Sequence, residues 1–351
     1  MLPHSVGTMC DRGAMVALLR WAPLALALAA ATACGQDSVQ PASSPQQESS
    51  TAPALPSPAA VSTTSPGCSS TDPQAPIAGV MTTRTVVVDG LERPYLLRLP
   101  PTYQPGKPIP TVVTFHGMGS TADQQLLVTA VGTSADKNGY AVIAPQGNSG
   151  TWALPPDNQT TVTTPEDGYV DAMLADAEGA ACLDPSRMYA AGMSMGSAMT
   201  FVQACKPDRR FAAFGGVAVA IYRPICDQAP PAPLIYFHGR GDQTVPFNGG
   251  DARGYQVAPV PQTMDEWVAH NHCAAGPVVT VTEDVTKRVW TDCAQNAEVD
   301  FYEIDGGGHT WPGSAITALP YIEQYLGRTT MTISATDLMW DFFSRYQLPT
   351  K

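Results

Sequence analysis

The sequence predicts an α/β domain organised around a mostly parallel sheet, and three observations carry that expectation. Short, continuously apolar runs at residues 111–115 and 140–144 have the character of strands buried on both faces. Helical periodicity separates such runs, most clearly where Val170, Met173, Leu174, Ala177 and Ala181 recur at i, i+3, i+4, i+7 and i+11. The alternation continues from about residue 68 to the C-terminus without an internal repeat, as one domain would require. The chain of 351 residues, 44% hydrophobic and 14% charged, is long enough to bury a sizeable core. Its net charge of −12, with no cluster of Lys or Arg, argues against nucleic acid or an anionic membrane surface as partner.

Residues 1–33 read as an export signal, with Arg12 and Arg20 ahead of an apolar run at 21–33 that is too short to span a bilayer. The run ends Ala31-Thr32-Ala33-Cys34-Gly35, which resembles a bacterial lipobox and makes Cys34 the lipid-modified first residue of the mature chain. Ala31 stands where Leu, Val or Ile is usual, so ordinary secretion after Ala33 is the rival reading. Either places the protein outside the cell or in its envelope, touching membrane only through an N-terminal lipid. Residues 34–67, rich in Ser, Pro, Thr, Gln and Ala, read as a solvated tether spanning roughly 30 Å. The folded domain is expected at 68–351.

Within it, residues 83–88 and 95–99 read as strands around the turn Asp89-Gly90. A helix is expected over 122–138, and another over 165–182, ended by Leu183-Asp184-Pro185. A strand at 187–191 then leads into Gly192-Met193-Ser194-Met195-Gly196, and a helix follows at 195–205, where Met195, Ala198, Met199, Val202 and Cys205 share a face. Strands are expected at 211–220, 234–237 and 298–304, a helix at 262–271, and an added hairpin from 279–285 and 288–290. Ser334 should cap a closing helix that turns Leu338, Phe342, Phe343 and Tyr346 inward.

A serine is a poor nucleophile unless a sharp strand-to-helix turn presents it to a base, and G-x-S-x-G in that context is such a turn. Ser194 is therefore the candidate nucleophile. Its partners should follow as acid and then histidine, on loops at strand C-terminal ends. Asp242, after Gly239-Arg240-Gly241, is the candidate acid, and His309, in Gly306-Gly307-Gly308-His309-Thr310-Trp311-Pro312-Gly313, the candidate base. His116 and His238 precede the acid and read as structural. The oxyanion of a tetrahedral intermediate needs donors. The N–H of Met195 is one, and in His116-Gly117-Met118-Gly119 the N–H of Met118 is the other, with Gly117 the near alternative. His270, His272 and Cys273 lack a second ligand pair at zinc spacing, so no metal site is expected. With Cys10 in the signal and Cys34 lipidated, six cysteines remain, an even count that in an exported chain points to disulfides but leaves their pairing open.

The HGMGS loop, the GMSMG elbow, the FHGRGDQTVPF acid loop and the GGGHTWPG histidine loop together resemble the polyhydroxybutyrate depolymerase and feruloyl esterase type of α/β-hydrolase. The resemblance runs from about Thr83 to Tyr346. It implies the α/β-hydrolase fold, helices on both sheet faces, and a Ser194-Asp242-His309 carboxylic ester hydrolase needing no cofactor. It also implies the pairings Cys205 with Cys226, Cys273 with Cys293 and Cys68 with Cys182. Ser197 and Met118 depart from the family, which often has Gly and Cys at those positions. A peptidase with the same triad and a silent surface-binding lipoprotein are the alternatives, and the intact triad argues against the second.

Lipases for long acyl chains commonly insert a helical lid between the elbow helix's following strand and the acid-bearing strand. Here that interval, Ile221 to Pro233, holds 13 residues and is rich in proline. No lid domain is expected, and the site should be an open, shallow cleft that takes an ester projecting from a polymer or a bulky aromatic acid, with a preference for short or aromatic acyl esters. Trp152 and Trp311 are candidate stacking surfaces for substrate.

Overall fold

The computed structural model describes residues 54–71, 75–155 and 164–351. The signal segment, Cys34 and most of the expected tether lie outside the described residues. In chain order the domain comprises β1 (Met81–Val88), β2 (Leu91–Arg98), β3 (Ile109–Phe115), α1 (Ala122–Thr129), α2 (Val131–Asn138), β4 (Ala141–Pro145), α3 (Pro165–Ala180), β5 (Leu183–Met193), α4 (Met195–Ala204), β6 (Ala213–Val217) and β7 (Leu234–Gly239). There follow β8 (Gly250–Ala252), β9 (Tyr255–Val257), α5 (Val260–His270), β10 (Ala275–Thr282), β11 (Val285–Thr291), β12 (Val299–Ile304), α6 (Pro320–Leu326) and α7 (Ala335–Phe343).

Ten strands form one sheet in the order β1-β2-β4-β3-β5-β6-β7-β12-β11-β10. From β4 to β12 neighbours run parallel, and the antiparallel hairpins β1-β2 and β10-β11 flank them. Successive side chains on a strand point to opposite faces, and the central strands bury both. Val113, Tyr236 and Phe301 face the layer holding α3, α4 and α5, whereas Val112, Phe237 and Tyr302 face α2 and α7. Continuous apolar runs are what such two-sided burial demands. Among the described residues no helix is long and apolar enough to cross a membrane.

Several element ends have legible causes. Asp89 and Gly90 sit at φ 51° and 78°, the left-handed pair that a tight hairpin turn between β1 and β2 needs. α3 opens on Thr164 with Pro165 in its first turn, and the Thr164 N–H donates to Asp167 Oδ2 at 2.8 Å, the return half of a capping box. The Asp337 N–H donates to Ser334 Oγ at 3.2 Å, so Ser334 caps α7 as expected.

Four expectations need correction. The helix expected over 122–138 is two helices, because Ala130 takes a left-handed conformation (φ 51°) and Thr129 Oγ1 accepts the Val131 N–H at 3.3 Å. β5 begins at Leu183 rather than after Pro185, since Leu183 pairs with Ile109 across an irregularity that accommodates the proline. Val285 belongs to the second strand of the added hairpin, which turns at residues 283–284. Part of the expected tether lies on the domain. Val61 bridges Thr350, and the buried Ser65 donates through Oγ to Ala181 O at 2.8 Å and accepts the Leu183 N–H at 2.9 Å.

Candidate active site

β5, β6, β7 and β12 run parallel, with Met193, Val217, Phe237 and Tyr302 in register across the sheet. Chain leaving their C-terminal ends therefore emerges on one edge. Ser194 follows β5 immediately, Asp242 follows β7 by three residues and His309 follows β12 by five. Between β5 and β12 lie three strand spacings, roughly 14 Å, so the later loops must fold back over the edge to approach Ser194.

Ser194 stands between β5 and α4 at φ 56°, ψ −123°, a conformation that costs a non-glycine residue about 1–3 kcal/mol. Its N–H donates to Val217 O at 2.8 Å, fixing the turn to β6. The flanking glycines follow from space alone: a Cβ on Gly192 would lie 2.2 Å from Gly196 O, and one on Gly196 2.0 Å from Phe115 O. Met195 is the first residue of α4, where a backbone N–H has no partner within the helix. The loop after β3 lies alongside. A Cβ on Gly117 would sit 3.9 Å from Ser194 Oγ, and the turn is closed by Ser120 N–H to Gly117 O at 3.1 Å and Gly119 N–H to Gly150 O at 2.8 Å. Met118, inside that turn, is half exposed.

Asp242 is buried and doubly fixed. Its Oδ1 accepts the N–H groups of Thr244 and Val245, each at 2.8 Å, leaving Oδ2 to accept from His309 Nδ1–H at 2.7 Å. That bond sets the tautomer, with Nε2 of His309 as the free, basic nitrogen. The histidine loop is gripped from two sides: Gly241 N–H donates to Gly307 O at 2.8 Å, and His309 N–H to Leu326 O at 2.6 Å. Among the described residues Ser194 Oγ makes no hydrogen bond, to His309 or to any other group. Bonds between nucleophile and base are often long before substrate binds.

Residues 93–228 match the family described as esterase PHB depolymerase. The chain is 29% identical over 359 residues to "Putative esterase NocK" of Nocardia uniformis subsp. tsuyamanensis, an alignment covering 93% of this chain and 99% of that protein. It is 25% identical to "Feruloyl esterase B" of Piromyces equi, across 66% of this chain and 45% of that one. These matches make the chain similar to α/β-hydrolases of the polyhydroxybutyrate depolymerase and feruloyl esterase type. The fold agrees: "Acetyl xylan esterase from Aspergillus awamori" superposes with a TM-score of 0.52 at 18% identity, covering 66% of this chain and 94% of that chain. The protein is thus a carboxylic ester hydrolase.

Other residues of the esterase take structural places. His116 donates through Nδ1–H to Gly117 O at 2.8 Å and accepts the Gly147 N–H at Nε2 at 2.9 Å, so its ring is neutral, and burial lowers its pKa. His238 is likewise neutral. Its Nε2–H donates to Val245 O at 2.9 Å, Nδ1 accepts from Tyr236 OH at 2.5 Å, and burial pushes its pKa down to about 4, although Asp242 Oδ2 stands only 3.5 Å away. Sequence reasoning set His238 aside; its position four residues before Asp242 was the signal that it braces the acid loop.

The two tryptophans proposed as stacking surfaces are corrected by burial. Trp152 is 2% exposed, packs edge-on to Phe115 and donates through Nε1–H to His116 O at 2.8 Å. Trp311 is also 2% exposed and donates to Thr336 Oγ1 at 3.0 Å in the α7 layer. Neither has a face to offer substrate. Disulfides join Cys68 to Cys182, Cys205 to Cys226 and Cys273 to Cys293, the pairing the family resemblance implied.

Proposed function

We propose that the esterase works through a Ser194-His309-Asp242 triad and a covalent acyl-enzyme. The observation that carries this reading is the buried Asp242–His309 bond of 2.7 Å, on loops beyond the same sheet edge as the strained Ser194. His309 Nε2 takes the proton from Ser194 Oγ as the oxygen attacks the ester carbonyl. The resulting oxyanion is met by the N–H groups of Met195 and Met118, and His309 returns the proton to the departing alcohol. Water then attacks the acyl-enzyme with His309 again as base, releasing the acid and restoring Ser194. Asp242 holds the imidazole's tautomer and offsets the charge it gains.

The substrate reading is a short or aromatic acyl ester, carried on a polymer in the way the names feruloyl esterase and acetyl xylan esterase describe for the relatives. It is supported by the β6-β7 connection, which folds into a short turn tied by Cys226 and inserts no lid. Export, with lipid on Cys34, completes the proposal, and an unmodified mature N-terminus would remove the anchor from it.

Nitrophenyl esters graded from acetyl to palmitoyl test the chemistry and the substrate together. Wild type should turn over acetyl to butyryl esters fastest, while Ser194→Ala and His309→Ala lower the rate by about 10⁴-fold or more and Asp242→Asn somewhat less. Near-full turnover by Ser194→Ala would remove the triad. A rate that climbs towards palmitoyl would remove the short-acyl reading.

A further inference from the structure

The hairpin β10-β11 extends the sheet without filling its core. Every residue of β10 is exposed, Val278 at 65% and Val281 at 67%, so burial gives no account of the strand. The hairpin's turn, however, meets the histidine loop. Asp305 follows β12 and opens that loop, and its N–H donates to Asp284 O at 2.8 Å. The Asp284 carboxylate is engaged as well. Oδ1 accepts from Thr330 Oγ1 at 3.1 Å and from Thr332 Oγ1 at 2.7 Å, and Oδ2 accepts from Arg328 Nη2 at 2.6 Å.

Arg328, two residues beyond α6, grips the same loop. Its Nη2 also donates to Asp305 O, while its own carbonyl oxygen accepts the Gly308 N–H at 2.8 Å and the Thr310 hydroxyl at 3.2 Å. One residue thus touches the loop at its first position and on both sides of His309. The chain between is Gly306-Gly307-Gly308, and glycine has the freest backbone of any residue. Gly306 stands at φ 65°, and a Cβ on Gly308 would lie 2.1 Å from Leu326 O. Glycines let the loop lie flush against residues 326–328, but they cannot themselves hold an imidazole to the roughly 0.5 Å that a catalytic group requires.

We propose that Arg328 is a positioning residue for His309 and that Asp284, on the turn of the added hairpin, anchors it. The inference rests on the triad reading, in which His309 is the base. Among the described residues no hydrogen bond or ion pair joins Arg328 to Ser194, Asp242 or the His309 ring, so it acts through the loop backbone. Both partners of the Arg328–Asp284 pair reach solvent, which makes the pair a small contributor to stability. Its effect is on geometry, where a displacement of about 1 Å at a catalytic group can cost about 100-fold in rate. His309 serves both acylation and deacylation, so a misplaced ring slows the two together and leaves KM, which depends on their ratio, nearly unchanged.

The test is steady-state hydrolysis of nitrophenyl acetate by the full-length protein, with urea unfolding of each variant to confirm that it folds. Arg328→Ala and Asp284→Ala should each lower kcat about tenfold while KM stays within about twofold. The double variant should be no more than about twofold slower than the slower single one, because the two residues act as one clasp. Should the alanine variants fail to fold, Asp284→Asn, which keeps the side chain's shape but can turn a donor towards Arg328, should itself lower kcat at least threefold. A loss of kcat below threefold in the folded variants would overturn the proposal, as would a rise in KM without a loss of kcat, or losses that multiply in the double variant. His309→Ala decides the triad separately. Turnover surviving in that variant removes the triad, whereas its loss there beside full kcat in Arg328→Ala removes the clasp alone.

Discussion

Asp242 is the residue on which most of the local order converges: two backbone N–H groups hold one oxygen, His309 the other, and neutral His238 packs 3.5 Å away without taking a proton. A charged His238 would compete with His309 for the carboxylate, so its low pKa keeps Asp242 committed to one partner. The same burial has a cost in acid. An unfolded histidine titrates near 6.5, whereas His238 in the fold stays neutral down to about 4. Between those values the unfolded chain binds a proton that the folded chain does not. Stability that is complete above pH 6.5 is therefore lost as pH falls towards 4, by at most about 3 kcal/mol from this residue. His238→Gln, whose amide can still donate to Val245 O, should unfold in urea with a shallower loss between pH 6.5 and 4 than wild type. Identical slopes would show that His238 does not titrate as its burial implies. At this scale the strained turn at Ser194 and the Asp242–His309 pair were legible because their motifs are local, whereas the burial of Trp152 and Trp311 was not. Each packs against chain distant in sequence, and a tryptophan beside a catalytic motif reads the same whether its ring faces core or solvent.

Elements buried on two faces were legible and elements buried on few were not. The runs at 111–115 and 140–144 lie within or overlap β3 and β4, because only continuous apolarity suits a strand covered by helices on both sides. The break at Ala130 escaped notice since alanine is the best helix former and nothing in the composition marks a left-handed residue there. α6 escaped because none of its residues is buried and so no apolar periodicity appears. The elbow helix and the lidless turn after β6 are joined by Cys205–Cys226, across 21 residues, and the segment before β1 is joined to the residue preceding β5 by Cys68–Cys182, across 114. If the main effect of a disulfide is on the unfolded chain, removal should cost roughly 3 kcal/mol for the first and nearly 5 kcal/mol for the second. Urea unfolding of the two Cys→Ser pairs measures both. A larger loss from the short loop than from the long one would show that native packing, and not chain entropy, sets their value.

At the scale of the described domain, the edge beyond which Ser194 lies and the point where the chain enters the domain lie at opposite ends of β5. Ser65 and Leu348 bond to Leu183 and Ser186 at its start, while Ser194 follows its last residue, about 33 Å away for eleven extended residues. The sequence placed this entry point too late. Residues 56–67 have the composition of a tether, yet Val61 and Ser65 find partners supplied only by the far C-terminus and the start of β5, which no local reading reveals. Everything proposed for the esterase depends on Ser194 being the atom that is acylated. The most direct measurement is peptide mapping by mass spectrometry after reaction with a nitrophenyl phosphonate, which transfers its phosphonyl group to an activated serine and stays there. One phosphonyl group per chain on the peptide containing Ser194, formed much more slowly by His309→Ala, is the expected result. Loss of ester turnover with the phosphonyl group on any other residue would contradict it.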